Sequence, residues 1–205
     1  MSLLIHFAIG FITSFIGTTP PSMLNMTTAK IALERTKIEG AKFALGVSIV
    51  VLIQAYIAVL LTRYIHNSEN FEWYIKVVGV VIFVFLSIYF FTEASKERKQ
   101  KEAGGYKIKN SFIIGIIFSS LNMFAIPFYC GVSSTLNMFG WMKFDQTSII
   151  LFVIGSALGT YSLLYIYASS AIKIQKRASL LTKNLNYVLS ILTALVAILT
   201  FINLL

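Results

Sequence analysis

The sequence predicts an all-α integral membrane protein: six transmembrane helices arranged as two inverted three-helix repeats. Three observations carry that expectation. Of the 205 residues, 57% are apolar and only 12% charged, and the mean hydropathy is +0.80, whereas a soluble domain of this length needs far more polar surface. Six nearly uncharged stretches, Leu3–Ala29, Phe43–Thr62, Trp73–Thr92, Ser111–Met138, Ile149–Ile172 and Leu185–Leu205, are each long enough for a hydrocarbon core of about 30 Å. Continuous apolar runs of this length read as helices, because barrel strands are shorter and alternate in polarity. Finally, the basic residues gather in alternate connections.

The first connection carries Lys30, Arg35, Lys37 and Lys42, the third Lys96, Arg98, Lys99, Lys101, Lys107 and Lys109, and the fifth Lys173, Lys176, Arg177 and Lys183. The second and fourth offer only Arg63, Lys76 and Lys143. The positive-inside rule places the odd connections in the cytoplasm and both termini outside. These charges, at a net +9, set topology and meet the headgroups of the lipid bilayer. They form no continuous face for nucleic acid, so no nucleic-acid partner is expected. The start lacks a basic region before its apolar run, so no cleavable signal peptide is expected.

The chain reads as one membrane domain, 1–205. Residues 93–109 are a polar cytoplasmic linker containing Gly104 and Gly105, dividing repeat one (1–92) from repeat two (110–205). An odd number of helices per half makes the second half enter the membrane with opposite polarity. The halves echo each other: ALGVSIVVLIQAY from Ala44 aligns with VIGSALGTYSLLY from Val153, placing Gly46 on Gly155 and Tyr56 on Tyr165. GFITSFIGTTPP from Gly10 parallels GIIFSSLNMFAIP from Gly115. Inverted repeats with broken helices are the architecture of many secondary transporters, with sites between the repeats.

The candidate pathway residues lie where polar groups and prolines interrupt these helices. Pro20 and Pro21 remove backbone donors and leave carbonyls near Ile16 and Gly17 without partners, beside Ser22 and Asn25. Water or solute could meet those carbonyls; so could the hydroxyl of Thr18 or Thr19 in a simple kink. The fourth stretch repeats the arrangement with Ser119, Ser120, Asn122 and Pro127, and Gln54 adds a buried amide. Each amide reads either as interhelical glue or as a solute ligand. Tyr56, Tyr161, Tyr165 and Tyr167 divide between an interfacial belt and a cavity lining, and His6 and His66 fall near the outer interface as bystanders.

Half-helix ends suit an amino-acid-like solute, since their N-terminal amides favour a carboxylate and their C-terminal carbonyls an ammonium. No Asp, Glu, Lys or Arg lies deep in a span, so a carboxylate proton relay is not expected. Neither a catalytic constellation nor a metal-ligand cluster is present, so no enzyme activity, cofactor or metal is expected. Cys130, the single cysteine, reads as a packed apolar side chain and excludes intramolecular disulfides.

In these residues the chain resembles the lysine-exporter (LysE-type, homoserine/threonine-efflux) family over nearly its whole length. That family has a Pro-Gly-Pro break in helix one, then spaced glycines after a basic loop. Here the region reads TPPSMLNMTTAKIALERTKIEGAKFALG from Thr19 to Gly46, with Pro21, Gly40 and Gly46 matching and Thr19-Pro20 replacing Pro-Gly. The family's glycine followed by Asn-Pro in helix four is met by Gly115 and Asn122, while Met123 replaces the proline and Pro127 follows one turn later. Many relatives carry an acid where Val51 stands, so neither proton antiport nor a preference for basic amino acids carries over. The resemblance implies export of amino acids or similar zwitterions across the bacterial cytoplasmic (inner) membrane by alternating access, with Pro20, Pro21, Ser22, Asn25, Gln54, Asn122 and Pro127 around the pathway. The competing expectation is a non-transporting membrane module that anchors a partner complex. Whether the chain forms a homodimer is open.

Overall fold

A computed structural model describes residues 3–20, 22–66, 110–122 and 124–173, with isolated positions between 73 and 91 and between 191 and 198. Among the described residues every regular element is a helix, in the order α1 (Leu3–Thr18), α2 (Met23–Glu34), α3 (Lys37–His66), α4 (Ser111–Ser120), α5 (Ala125–Met138) and α6 (Gln146–Ser169). The chain divides into two compact units, one of Met1–Arg63 with Lys107–Arg177, the other of Tyr64–Tyr106 with Ala178–Leu205. In the second unit, Trp73, Val77, Val80, Val84, Ser87, Ile88, Phe91, Ile191, Ala194 and Ile198 are helical. The rest of the expected spans Trp73–Thr92 and Leu185–Leu205, the linker 93–109, and Pro21 lie outside the described residues.

The expected spans Phe43–Thr62 and Ile149–Ile172 fall on α3 and α6, both long and apolar enough to cross a membrane. At 30 and 24 residues they measure about 45 and 36 Å. The stretches Leu3–Ala29 and Ser111–Met138 are each two helices. The α1–α2 pair bends by 79° and the α4–α5 pair by 65°, and each pair meets the same length and apolarity test only when counted as one span. Leu45, Ile49, Ile53, Ile57 and Leu61 form an exposed apolar stripe along α3, opposite buried Phe43, Val47, Val51, Ala55 and Ala58. A helix apolar on both its packed and open faces belongs in lipid.

In the first unit the helices pair through glycine. A Cβ at Gly10 would fall 2.1 Å from the Phe152 carbonyl oxygen, and one at Gly155 2.1 Å from that of Phe7. Only the missing side chains let α1 and α6 approach so closely. Contacts of Gly155 with Phe7 and of Gly159 with Phe11 advance together, so the two helices run parallel. The α3–α4 pair is built alike: a Cβ at Gly46 would meet the Phe112 carbonyl and one at Gly115 the Phe43 carbonyl, each at 2.2 Å.

Basic residues converge on one end of this unit. Lys37 Nζ lies 4.9 Å from the Tyr165 ring centroid, while Arg35 donates to Ser111 Oγ (3.0 Å) and Ser111 donates to Glu39 (2.5 Å). His6 marks the other end. It is 2% exposed and its Nε2 accepts from the Lys143 N–H at 3.4 Å. The imidazole is thus buried in the protein at the end opposite the basic residues.

Candidate functional site

The two helix breaks are the polar centre of the first unit. At the first, Thr18 and Thr19 turn their hydroxyls onto carbonyls one turn back, Thr18 to Ser14 and Thr19 to Phe15 (2.9 Å). The Ile16 carbonyl, which the prolines were expected to orphan, accepts from the Thr19 N–H at 3.0 Å. Ser22 caps α2 by accepting from the Asn25 N–H. Asn25 is fully buried, and its Nδ2 donates to Thr18 O at 2.6 Å and Pro20 O at 3.0 Å. Its Oδ1 accepts from the Ser22 hydroxyl at 3.1 Å. Every polar group of Asn25 is thus engaged in bracing the bend.

The second break spans Leu121–Phe124. Leu121 N–H still donates to Ile117 O and Asn122 N–H to Ser119 O, which ends α4 in a tight turn. Asn122 Oδ1 then accepts from the Phe124 N–H at 3.3 Å. Phe124, at the N-cap of α5, makes no side-chain capping bond. Pro127 sits in the first turn of α5, where its missing N–H costs no helical bond; the break precedes this proline. Gln54 reaches across from α3, its Nε2 donating to Ser119 O (3.0 Å) and Asn122 O (3.4 Å).

The structure brings the breaks together. The ring of Phe128, in the second turn of α5, covers Gly17 in the last turn of α1, with an atom 2.3 Å from where a Cβ would stand. Beside it, Ser14 Oγ lies 2.8 Å from Tyr129 OH and 2.7 Å from Thr160 Oγ1, all three residues being buried. Sequence reasoning missed this hydroxyl triad, since its members are far apart in the chain. Of the residues it named, Pro20, Ser22 and Asn25 meet at the first break, and Gln54, Asn122 and Pro127 at the second; Pro21 is outside the described residues. Tyr167 OH donates to Thr19 O at 3.1 Å, and Tyr56 OH accepts from Gln146 Nε2 at 3.1 Å. Among the described residues no three His, Cys, Asp or Glu side chains converge as metal ligands.

The family model described as LysE type translocator matches residues 15–204. The chain belongs to the LysE type translocator family. It is therefore a membrane protein of a transporter family, one whose members are not enzymes, and the family's work is export of amino acids or related metabolites. A small-molecule substrate and the lipid bilayer follow as its partners. No curated protein and no solved structure matches the chain.

Proposed function

We propose that this LysE-type chain exports a neutral amino acid or similar zwitterion across the bacterial cytoplasmic membrane, by alternating access between two inverted three-helix repeats. The supporting observation is a reciprocity of contacts. Phe7 and Gly10 of α1 stand to Phe152 and Gly155 of α6 as Phe112 and Gly115 of α4 stand to Phe43 and Gly46 of α3. Ser14 and Ser119 occupy matching places one turn further, and each bonds across its own pair, to Thr160 Oγ1 and to Val47 O. The broken helix of each half thus packs on an unbroken helix of the other, so that rocking one half moves both breaks.

In this reading the positive-inside arrangement puts the Arg35–Glu39–Ser111 end in the cytoplasm, with both termini outside. The breaks line the pathway: backbone groups at the half-helix ends meet the solute's charges without any ionised side chain. Asn25, already engaged, shapes the first break and does not grip the solute. That saturation is also what an anchoring module would show, but the buried amide of Gln54 keeps an open acceptor, which a purely structural seam has no use for.

The test is efflux from cells fed dipeptides, or from vesicles loaded with amino acids. Expression should speed the exit of at least one neutral amino acid over a deletion strain. If every amino acid leaves both strains equally, the substrate assignment is wrong.

A further inference from the structure

The two breaks differ in what they leave unmet. At the first, Asn25 spends both amide functions on Thr18 O, Pro20 O and the Ser22 hydroxyl. At the second, Gln54 spends only half of its amide. Its Nε2 faces two carbonyl oxygens, Ser119 O and Asn122 O, which fixes the amide's orientation, since a flip would set oxygen against oxygen. Oε1 is therefore the acceptor. It is buried and has no hydrogen-bond partner among the described residues, in a side chain 7% exposed. A buried amide oxygen without a donor is disfavoured in a medium that supplies no water.

The position along the helices is also telling. The ten residues of α4 carry the chain about 15 Å, half of a core of about 30 Å. The sixteen residues of α1 carry it about 24 Å from the opposite side, so the first break lies closer to the basic end.

From these observations we infer that the second break, rather than the first, holds the solute, with Gln54 Oε1 accepting from its primary ammonium group. The inference rests on the transport reading for the identity of the solute as a zwitterion. Its chemical content is narrower: a group with N–H donors is required at Gln54. A quaternary ammonium of similar charge has none and binds poorly there.

The purified full-length chain tests this in two ways. Thermal unfolding in detergent is followed with n-propylammonium chloride and with tetramethylammonium chloride at equal ionic strength. Propylammonium should raise the unfolding midpoint of the wild type and tetramethylammonium should not; Gln54→Leu should abolish the difference, and Gln54→Glu, which keeps an acceptor and adds charge, should enlarge it. Equal shifts for the two salts in the wild type, or an undiminished difference in Gln54→Leu, overturn the assignment. Should Gln54→Leu fail to fold, the Gln54→Glu arm decides alone, and a preference no larger than the wild type's overturns it.

In proteoliposomes, a panel of radiolabelled amino acids identifies what the wild type moves. For that solute, Gln54→Leu should raise KM roughly tenfold or more, the loss of one hydrogen bond to a charged group, while its N-trimethylated analogue competes poorly against the wild type. An unchanged KM overturns the inference with transport intact. A wild type that moves no amino acid overturns the transport reading instead, and the unfolding arm still judges the ammonium site.

Discussion

At the scale of single residues, Asn25 and Ser14 show how polar side chains stabilise a bent helix where lipid cannot. Replacing Asn25 by alanine leaves Thr18 O and Pro20 O without the donors they now have, at about 1–3 kcal/mol for each buried carbonyl. Asn25→Ala should lower the detergent unfolding midpoint, and Asn25→Asp should do no better, because aspartate brings no N–H. Any loss of export should then follow the amount of folded protein and leave KM unaltered. Ser14→Ala removes the partner shared by two buried hydroxyls, Tyr129 OH and Thr160 Oγ1, whereas Tyr129→Phe leaves the Ser14–Thr160 bond in place. The first should cost about 1–3 kcal/mol and the second about 1 kcal/mol, read from the same unfolding curves. The breaks were legible in the sequence because proline advertises them locally. Neither the saturation of Asn25 nor the triad was, since Ser14 and Thr160 meet across 146 positions and no spacing rule connects them.

At the scale of elements, the glycines decide how closely helices approach. A methyl group at Gly155 would sit 2.1 Å from the Phe7 carbonyl oxygen, and backbone cannot swing aside as a flexible side chain can. Gly155→Ala should push α6 from α1 at a cost of about 1–3 kcal/mol or more, and Gly46→Ala should do the same to α3 and α4. Gly131 on α5 has nothing within 4 Å of its built Cβ, so Gly131→Ala should be neutral or stabilising by up to about 1 kcal/mol. Purified yield and unfolding midpoint measure all three. The repeat alignment had set Gly46 on Gly155 from sequence alone, yet it could not tell that each touches the other half of the chain. A pH dependence belongs to this scale too. Asp145 caps α6, and its hydrogen bonds with Ser148, from side chain first and backbone second, hold its carboxyl below the usual range. A folded-state pKa below the unfolded one makes this contribution complete above the ordinary carboxylate range and lost as pH falls through the lowered value. Acidification should therefore lower the wild-type midpoint more than that of Asp145→Asn, which caps without titrating.

At the scale of the whole molecule, direction of transport depends on which end of the unit meets the cytoplasm. The charge pattern of the loops already gave an orientation, and the structure adds a physical reason for the end to act as one piece. Arg35 and Glu39 from the first connection both bond Ser111 at the start of α4, and Gly40 packs on Ala168 near the end of α6. Segments remote in sequence thus gather their basic side chains around a shared polar contact, where anionic headgroups and the positive-inside bias act together. The opposite end carries His6, Lys143 and Asp145, with far less positive charge. Labelling can decide the matter in a Cys130→Ser background, with one new cysteine at exposed Lys173, beyond α6, or at exposed Met138, at the end of α5. A membrane-impermeant maleimide added to intact cells should label Met138→Cys and reach Lys173→Cys only after the cells are opened. The reverse pattern would invert the orientation, and the export direction argued from it would have to be inverted with it. Because the Ser111 contact joins the two halves at the basic end, opening toward that side in the proposed alternating-access cycle requires its rupture. Ser111→Ala should accordingly increase maleimide reaction at a cysteine placed at Ser119, about two turns deeper along α4, when the reagent is applied from the cytoplasmic side of inverted vesicles, and leave reaction from the outside unchanged.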